Sequence, residues 1–234
     1  MPQTPRSCRM SDFNSVFYSG GSKPLERWGS SQLQTGHGKI ITDKDIRGFV
    51  FELVSTNVAT AYIYIPQQPG QSLKIKWPFV TLQLRNLKRY FAFEIQVLDD
   101  QGIHRRLTFA NYQRRTKVSM FCTQMPLFLA PGWNQIQLNL AEYMRRAYGT
   151  GYVETIGIKI HANTRLRRIY FTPRLFADEE KPSCFRVRVF PPMYREMRTN
   201  LYGQIETEHQ QSPRSETSVK TRSSRTYSIM SCTS

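Results

Sequence analysis

Four kinds of side chain in this 234-residue sequence could carry chemistry: histidines, cysteines, adjacent carboxylates and adjacent bases. His37 stands between glycines in Thr35-Gly-His-Gly38, a setting that suits either a metal ligand or a tight loop. The other histidines lie at no ligand-like spacing from it, so a loop histidine is expected. Asp99 and Asp100 could form an acid/base or metal pair, but they lead into Gln101-Gly102. Aspartates beside a turn glycine are turn formers, because their carboxylates accept nearby backbone N–H groups. His161 could act as a base beside the Cys122 thiol, yet it ends a strand pattern, where a hydrogen-bonded structural histidine is the ordinary case. There is no Gly-x-Ser-x-Gly, no glycine-rich phosphate loop, no His-x-x-His and no Cys/His cluster. The expectation is a protein without catalytic residues, metal or cofactor.

The bases say more. Lys and Arg number 33 against 17 Asp and Glu, a formal charge of +16 with a pI near 10.0. A small soluble domain is comfortable at a magnitude of ~2–8, so this field points to a polyanionic partner: nucleic acid, an anionic membrane face or an acidic protein lattice. The bases cluster in pairs, namely Lys88-Arg89, Arg105-Arg106, Arg114-Arg115 and Arg145-Arg146, with Arg165, Arg167 and Arg168 at one corner. From residue 195 onwards six bases face four acids, which leaves +14 of the +16 to the preceding chain. The positive surface therefore belongs to the folded part.

The elements that must position these groups are mostly strands. Ile136, Leu138 and Leu140 alternate with Gln135, Gln137 and Asn139, a period of two with one buried and one wet face. Trp133, at the start of that strand, is expected to be buried. The next stretch, 141–148, favours a short helix stopped by Gly149. Two strands follow, with Ile156, Ile158 and Ile160 on one and Arg167-Arg-Ile-Tyr-Phe171 on the other, joined by a polar turn at His161-Ala-Asn-Thr-Arg-Leu166. Earlier strand patterns surround Phe51, Ile63, the alternation of Leu73, Ile75 and Trp77, and the run Val80, Leu82, Leu84. A hairpin runs from Phe91 to Phe109, with Arg105 interrupting its inner face, so either a bulge or a snorkelling guanidinium is expected there. Residues 112–126 read as a loop or a short edge strand, and Phe185, Val187 and Val189 as a final strand.

About ten strands with one short helix predict an all-β fold, an antiparallel β-sandwich or jelly roll, plus a disordered C-terminal tail. The division is a flexible N-terminus at 1–12, the domain at 13–191, and a disordered basic Ser/Thr-rich tail at 192–234. No apolar run approaches the ~20 residues that span a bilayer, and the N-terminus lacks the ~7–15-residue apolar core of a secretory signal, so a cytoplasmic protein without a membrane is expected. Cys8, Cys122, Cys184 and Cys232 are expected to be free thiols.

Gly132-Trp-Asn-Gln-Ile-Gln, Arg145-Arg-Ala-Tyr-Gly-Thr150, Tyr152-Val-Glu-Thr155 and Ile160-His-Ala-Asn163 with the following Arg-Leu-Arg-Arg-Ile-Tyr-Phe171 closely resemble the family of cilia- and flagella-associated protein twenty. Gly21-Ser-Lys-Pro-Leu25, Asn86-Leu-Lys88, Phe93-Glu-Ile-Gln-Val97 and Asn111-Tyr-Gln113 extend the resemblance, which runs from about Phe17 to Val189. It implies a single β-jelly-roll domain at the inner junction of axonemal doublet microtubules, linking the A- and B-tubules and supporting motility. The implied partners are α/β-tubulin, which is strongly acidic, and the parkin co-regulated protein. The implied location is the cytoskeleton of the cilium or flagellum, basal body included. The bases inside matching segments are the candidate tubulin contacts: Lys88, Arg145, Arg146, Arg165, Arg167 and Arg168. The first dozen residues do not match, Thr164 stands where the family typically has cysteine, and the tail is longer. These departures imply a divergent paralogue, for which a specialised flagellum such as that of sperm is a natural setting. Two other classes compete: a nucleic-acid-binding β-domain, for which Arg pairs and exposed aromatics would serve, and a carbohydrate-binding module, which a strongly basic chain disfavours.

Overall fold

The computed structural model describes residues 9–31, 36–190 and 226–228. In chain order the strands are β1 (Asn14–Tyr18), β2 (Gly29–Ser30), β3 (Gly36–Asp43), β4 (Gly48–Ser55), β5 (Tyr62–Ile65), β6 (Phe79–Asn86), β7 (Ala92–Asp99), β8 (His104–Ala110), β9 (Lys117–Ser119), β10 (Cys122–Pro126) and β11 (Gly132–Asn139). The helix α1 (Leu140–Tyr148) follows, then β12 (Tyr152–His161), β13 (Thr164–Thr172) and β14 (Thr226–Ser228). Among the described residues they make two seven-stranded sheets. One runs β14-β11-β6-β13-β4-β3 with β1 added beside β13, and the other β2-β5-β12-β7-β8-β10-β9. Pairing is antiparallel except for β10 on β8 and β14 on β11. No described helix is long and apolar enough to cross a membrane.

The core lies between the sheets because the alternating apolar faces meet there. Phe51, Leu53, Leu82, Leu84, Ile136, Leu138 and Phe171 face Ile63, Phe93, Ile95, Leu107, Phe109, Ile158 and Ile160. Phe93 and Phe109, opposite one another on β7 and β8, stack with centroids 4.9 Å apart. The helix closes one end, turning Leu140 and Met144 into the core at a spacing of four. Its first turn is capped by Asn139, whose Oδ1 accepts from the Glu142 N–H at 3.3 Å, and it ends at Gly149 in the left-handed region, φ 69°.

The structure departs from the sequence expectations in several places. The run 73–77 is no strand: Lys74 has φ 52°, which breaks the extended chain and leaves a single bridge from Ile75 to Thr155. The final strand expected at 185–189 is absent as well. Ser183–Phe185 is a turn of 3-10 helix that points Phe185 into a second apolar cluster with Phe13, Tyr170 and Phe176. Arg186 then ties the chain back through Nε to the Lys181 carbonyl, 2.7 Å away. His37 lies on β3 rather than in a loop, and Gly36 is required beside it because a Cβ there would meet the Val54 carbonyl oxygen at 2.1 Å. The wet face of β11 is covered: Gln135 is buried, hydrogen-bonded to Gln83 and to Asp178 of the C-terminal segment. Trp133 is buried, but on this covered face rather than in the inter-sheet core.

Residues 1–8 and nearly all of 192–234 lie outside the described residues, and so do the expectations of a flexible N-terminus and a disordered tail. Met10–Asp12, within that N-terminal stretch, form a 3-10 turn, and Thr226–Ser228 of the tail pair with β11. Cys122 and Cys184 are free thiols, whereas Cys8 and Cys232 lie outside the described residues.

Candidate functional site

The six expected contact bases fall in three places, and the fold treats each differently. At the corner of β13 the register shifts between Leu166 and Arg168, so Arg167 is the extra residue of a β-bulge. The bulge reverses the parity of the strand. Leu166 faces the core before it, Ile169 and Phe171 after it, and Arg168 is carried to the opposite face.

Arg165 lies on that opposite face inside an ionic row that crosses the sheet. Its Nε donates to Glu52 on β4 at 2.7 Å and its Nη1 to Asp43 on β3 at 2.8 Å. Arg85 on β6 reaches the same Asp43 at 3.0 Å, and the Trp133 indole N–H donates to it at 3.2 Å. Burial by itself would raise the Asp43 carboxyl, but the hydrogen bonds from Arg165 and Trp133 and the charge of Arg85 hold it below the ordinary carboxylate range. Glu52 is lowered in the same way, burial being outweighed by Arg165 and His37. Arg168 is buried, with its guanidinium 3.8 Å from the Tyr18 ring centroid and 4.4 Å from that of Phe185. Its Nε has no hydrogen-bond partner, and desolvation lowers its affinity for the proton. Arg167 is half-buried and donates to the Phe49 carbonyl at 2.6 Å, with Tyr18 beneath it. The corner arginines are thus engaged within the fold.

Arg145 and Arg146 project from the last turn of α1, where positive charge complements the helix dipole. Both are exposed, and both bond Glu142 one turn back, at 2.7 Å and 2.5 Å. One carboxylate answers two guanidinium groups, so the helix face keeps a net positive charge.

Lys88, by contrast, forms no ion pair with a described acid. It is exposed, with φ 58°, in the loop between β6 and β7. That loop forms one lip of an open cleft of about 770 Å³ lined by Ser55, Thr56, Val58, Asn86, Lys88, Arg89, Tyr90, Asn111 and Asn163. Lys88 and Arg89 were legible as a pair. The asparagines appeared in sequence only as parts of matching segments, although polar residues placed where strands end are a recognisable sign of loop pinning.

One buried charge was misread and its ion-pair partner missed. Arg105 causes no bulge, since β7 and β8 keep register throughout, and its guanidinium does not escape to the rim. It is buried, donates through Nε to Asp99 at 2.9 Å, bonds the Met120 carbonyl, and lies 4.3 Å from the Tyr148 ring centroid. Asp99 forms the turn as expected, accepting from the N–H groups of Gln101 and Ile103. His161 is structural, with Nδ1 2.9 Å from the Val58 carbonyl oxygen and Nε2 3.3 Å from Glu94. Cys122 cannot join it, because β7 and β8 separate β12 from β10 and each strand adds ~4.8 Å. Among the described residues no group of three His, Cys, Asp or Glu side chains is gathered as a metal site.

Comparison with known proteins adds the family. The CFA20 domain matches residues 6–189, beginning earlier in the chain than the resemblance read from Phe17. Cilia- and flagella-associated protein 20 of Chlamydomonas reinhardtii is 51% identical over 177 residues, which cover 76% of this chain and 93% of that one. The protein of the same name from Paramecium tetraurelia is also 51% identical over 177 residues, 76% of this chain and 92% of its own. That of Caenorhabditis elegans is 47% identical over 173 residues, covering 74% and 85%.

Proposed function

Because the chain belongs to the CFA20 domain family, we propose that it is a non-enzymatic structural protein of the ciliary or flagellar axoneme, joining the A- and B-tubules at the inner junction of doublet microtubules. Association with cilia or flagella rests on the relatives' names, and one observation carries it: 51% identity that spans 93% of the algal protein. The finer placement at the junction draws on the basic surface. Tubulin is acidic, and the domain presents Lys88, Arg89, Arg145 and Arg146 to solvent at two separate places. A bridging protein needs more than one such face, and the two are fixed on one rigid sandwich. The parkin co-regulated protein is the proposed neighbour. The reading includes a role in motility, because a seam that opens would let the doublet shear.

Cryo-electron microscopy of doublets from cells that express a density-tagged copy tests the placement. Added density at the seam between the tubules is expected. Density elsewhere on the doublet overturns the junction role, and nuclear enrichment with RNA favours a nucleic-acid-binding protein instead.

A further inference from the structure

The open cleft between the β6–β7 loop and the β12–β13 turn has features that a generally basic surface does not explain. Lys88 and Arg89 lie on its lip, and its lining contains no aspartate or glutamate. Several arginines elsewhere are answered within the fold: Arg85, Arg105, Arg145, Arg146, Arg165 and Arg174 each bond a carboxylate, and Arg168 is packed between rings, whereas Arg27, Arg114 and Arg115 share with the cleft pair the lack of an ion pair to a described acid. Lys88 and Arg89 form no ion pair with a described acid.

The cleft is also held open by its own amides. Asn86 accepts from the Lys88 N–H at 2.7 Å and donates to the carbonyls of Leu129 and Ala130. Asn111 accepts from Phe91 N–H and donates to the Arg89 carbonyl at 2.7 Å. Asn163 accepts from Ser55 N–H and donates to the Tyr90 carbonyl at 3.1 Å. Every residue from 88 to 91 is therefore fixed by an asparagine, Lys88 and Phe91 through the N–H and Arg89 and Tyr90 through the carbonyl. The charged and aromatic side chains left to face a ligand are Lys88, Arg89 and the Tyr90 ring, beside Ser55, Thr56 and Val58. Tyr90 is 69% exposed, and its ring stands at 67° to the Tyr112 ring, 5.5 Å away.

We propose that this cleft binds a short acidic polypeptide segment, its carboxylates on Lys88 and Arg89 and its aliphatic stems against Tyr90. A volume of about 770 Å³ falls in the range of preformed sites, ~300–1,000 Å³, and holds a few residues of extended chain. Nucleic acid fits less well. The asparagines that could read base edges are consumed by main chain, and two rings set steeply to one another offer no platform for successive stacked bases. The source of the segment rests on the microtubule reading, for tubulin's acidic surface would supply it; the cleft chemistry does not.

The test uses the full chain and a fluorescein-labelled, glutamate-rich peptide followed by fluorescence anisotropy. Lys88→Glu with Arg89→Glu is expected to weaken binding by roughly tenfold or more, while Arg145→Glu with Arg146→Glu changes it by less than about twofold. Lys88→Gln with Arg89→Gln, which introduces no repulsion, should give an intermediate loss, and circular dichroism confirms that each variant is folded. Equal losses from the cleft pair and the helix pair mean non-specific charge attraction and overturn the proposal, as does an oligodeoxythymidine that displaces the peptide at lower concentration. Microtubules with their acidic tails removed by protease separate the two readings. Peptide binding that the cleft variants abolish, with trimmed and intact microtubules bound alike, keeps the cleft and assigns the segment to another protein. Microtubule binding without peptide binding keeps the lattice reading and removes the cleft.

Discussion

Asp43 shows how far one carboxylate can reach in this fold. Its side chain is wholly buried on the covered face of the sheet, where it accepts from Arg85, Arg165 and Trp133 and so connects β3, β6, β11 and β13. Its carboxyl is held below the ordinary value of about 4 in the folded state. A depressed carboxyl contributes stability above its unfolded value and loses that contribution as pH falls through the lower folded value. Wild-type protein should therefore lose thermal stability on acidification below about pH 4. Asp43→Asn should be less stable at neutral pH, by about 1–3 kcal/mol, because hydrogen bonds to a charged acceptor are lost while Arg85 keeps Asp45 and Arg165 keeps Glu52, and its acid limb should be flatter. Melting temperatures from neutral to acid pH decide this, and equal acid slopes for the two proteins would refute it. Trp133 was legible as a buried ring from its place before a strand, yet its face was not. Period two places it opposite Ile136 and Leu138, and a local pattern cannot show that Asp178 and Phe185 return to cover that side, where they accept from Gln135 and Gln83.

At the scale of elements, the hairpin β7–β8 was the clearest feature of the sequence, and its one apparent fault proves to be its fastening. Arg105 keeps the inward parity of Leu107 and Phe109 because Asp99, at the other end of the turn, meets it across the ladder. Two things hid the pairing. The aspartate had a sufficient role as a turn former, and the covers of the guanidinium, Met120 and Tyr148, come from distant parts of the chain. Arg105→Leu should cost about 3–5 kcal/mol in chemical denaturation, since it leaves a buried carboxylate without its cation. Adding Asp99→Asn, which keeps the turn acceptor while removing the charge, should recover much of that loss. A double-mutant cycle that shows no coupling between the two positions would contradict the assignment. The helix was legible for the opposite reason: Asn139 and Gly149 are local caps that need no tertiary partner. The 73–77 and 185–189 stretches failed as strands because alternation over three residues is too short to outweigh a left-handed Lys74 or a docking Phe185.

For the whole molecule the charge distribution sets which variants can test the proposed contact. Of the +16, the chain from residue 195 contributes only +2, so the field that attracts an acidic lattice belongs to the sandwich. The three corner arginines, natural choices for charge reversal on sequence grounds, are unsuited to it. Glutamate at 165 would face Asp43 and Glu52, and glutamate at 168 would bury a carboxylate against Tyr18 and Phe185. Loss of binding in such a variant would report unfolding. The exposed pair Arg145 and Arg146 can be reversed without that confusion, because each touches only Glu142 on the same helix. Co-sedimentation with microtubules should therefore show a chain ending at Pro192 binding within about twofold of the full chain, and Arg145→Glu with Arg146→Glu binding more weakly. Both the full and the shortened chain should release as salt rises, because the screening length falls from about 8 Å at physiological ionic strength to about 3 Å at 1 M. If the shortened chain loses its affinity while the helix variant keeps it, the tail rather than the sandwich carries the contact.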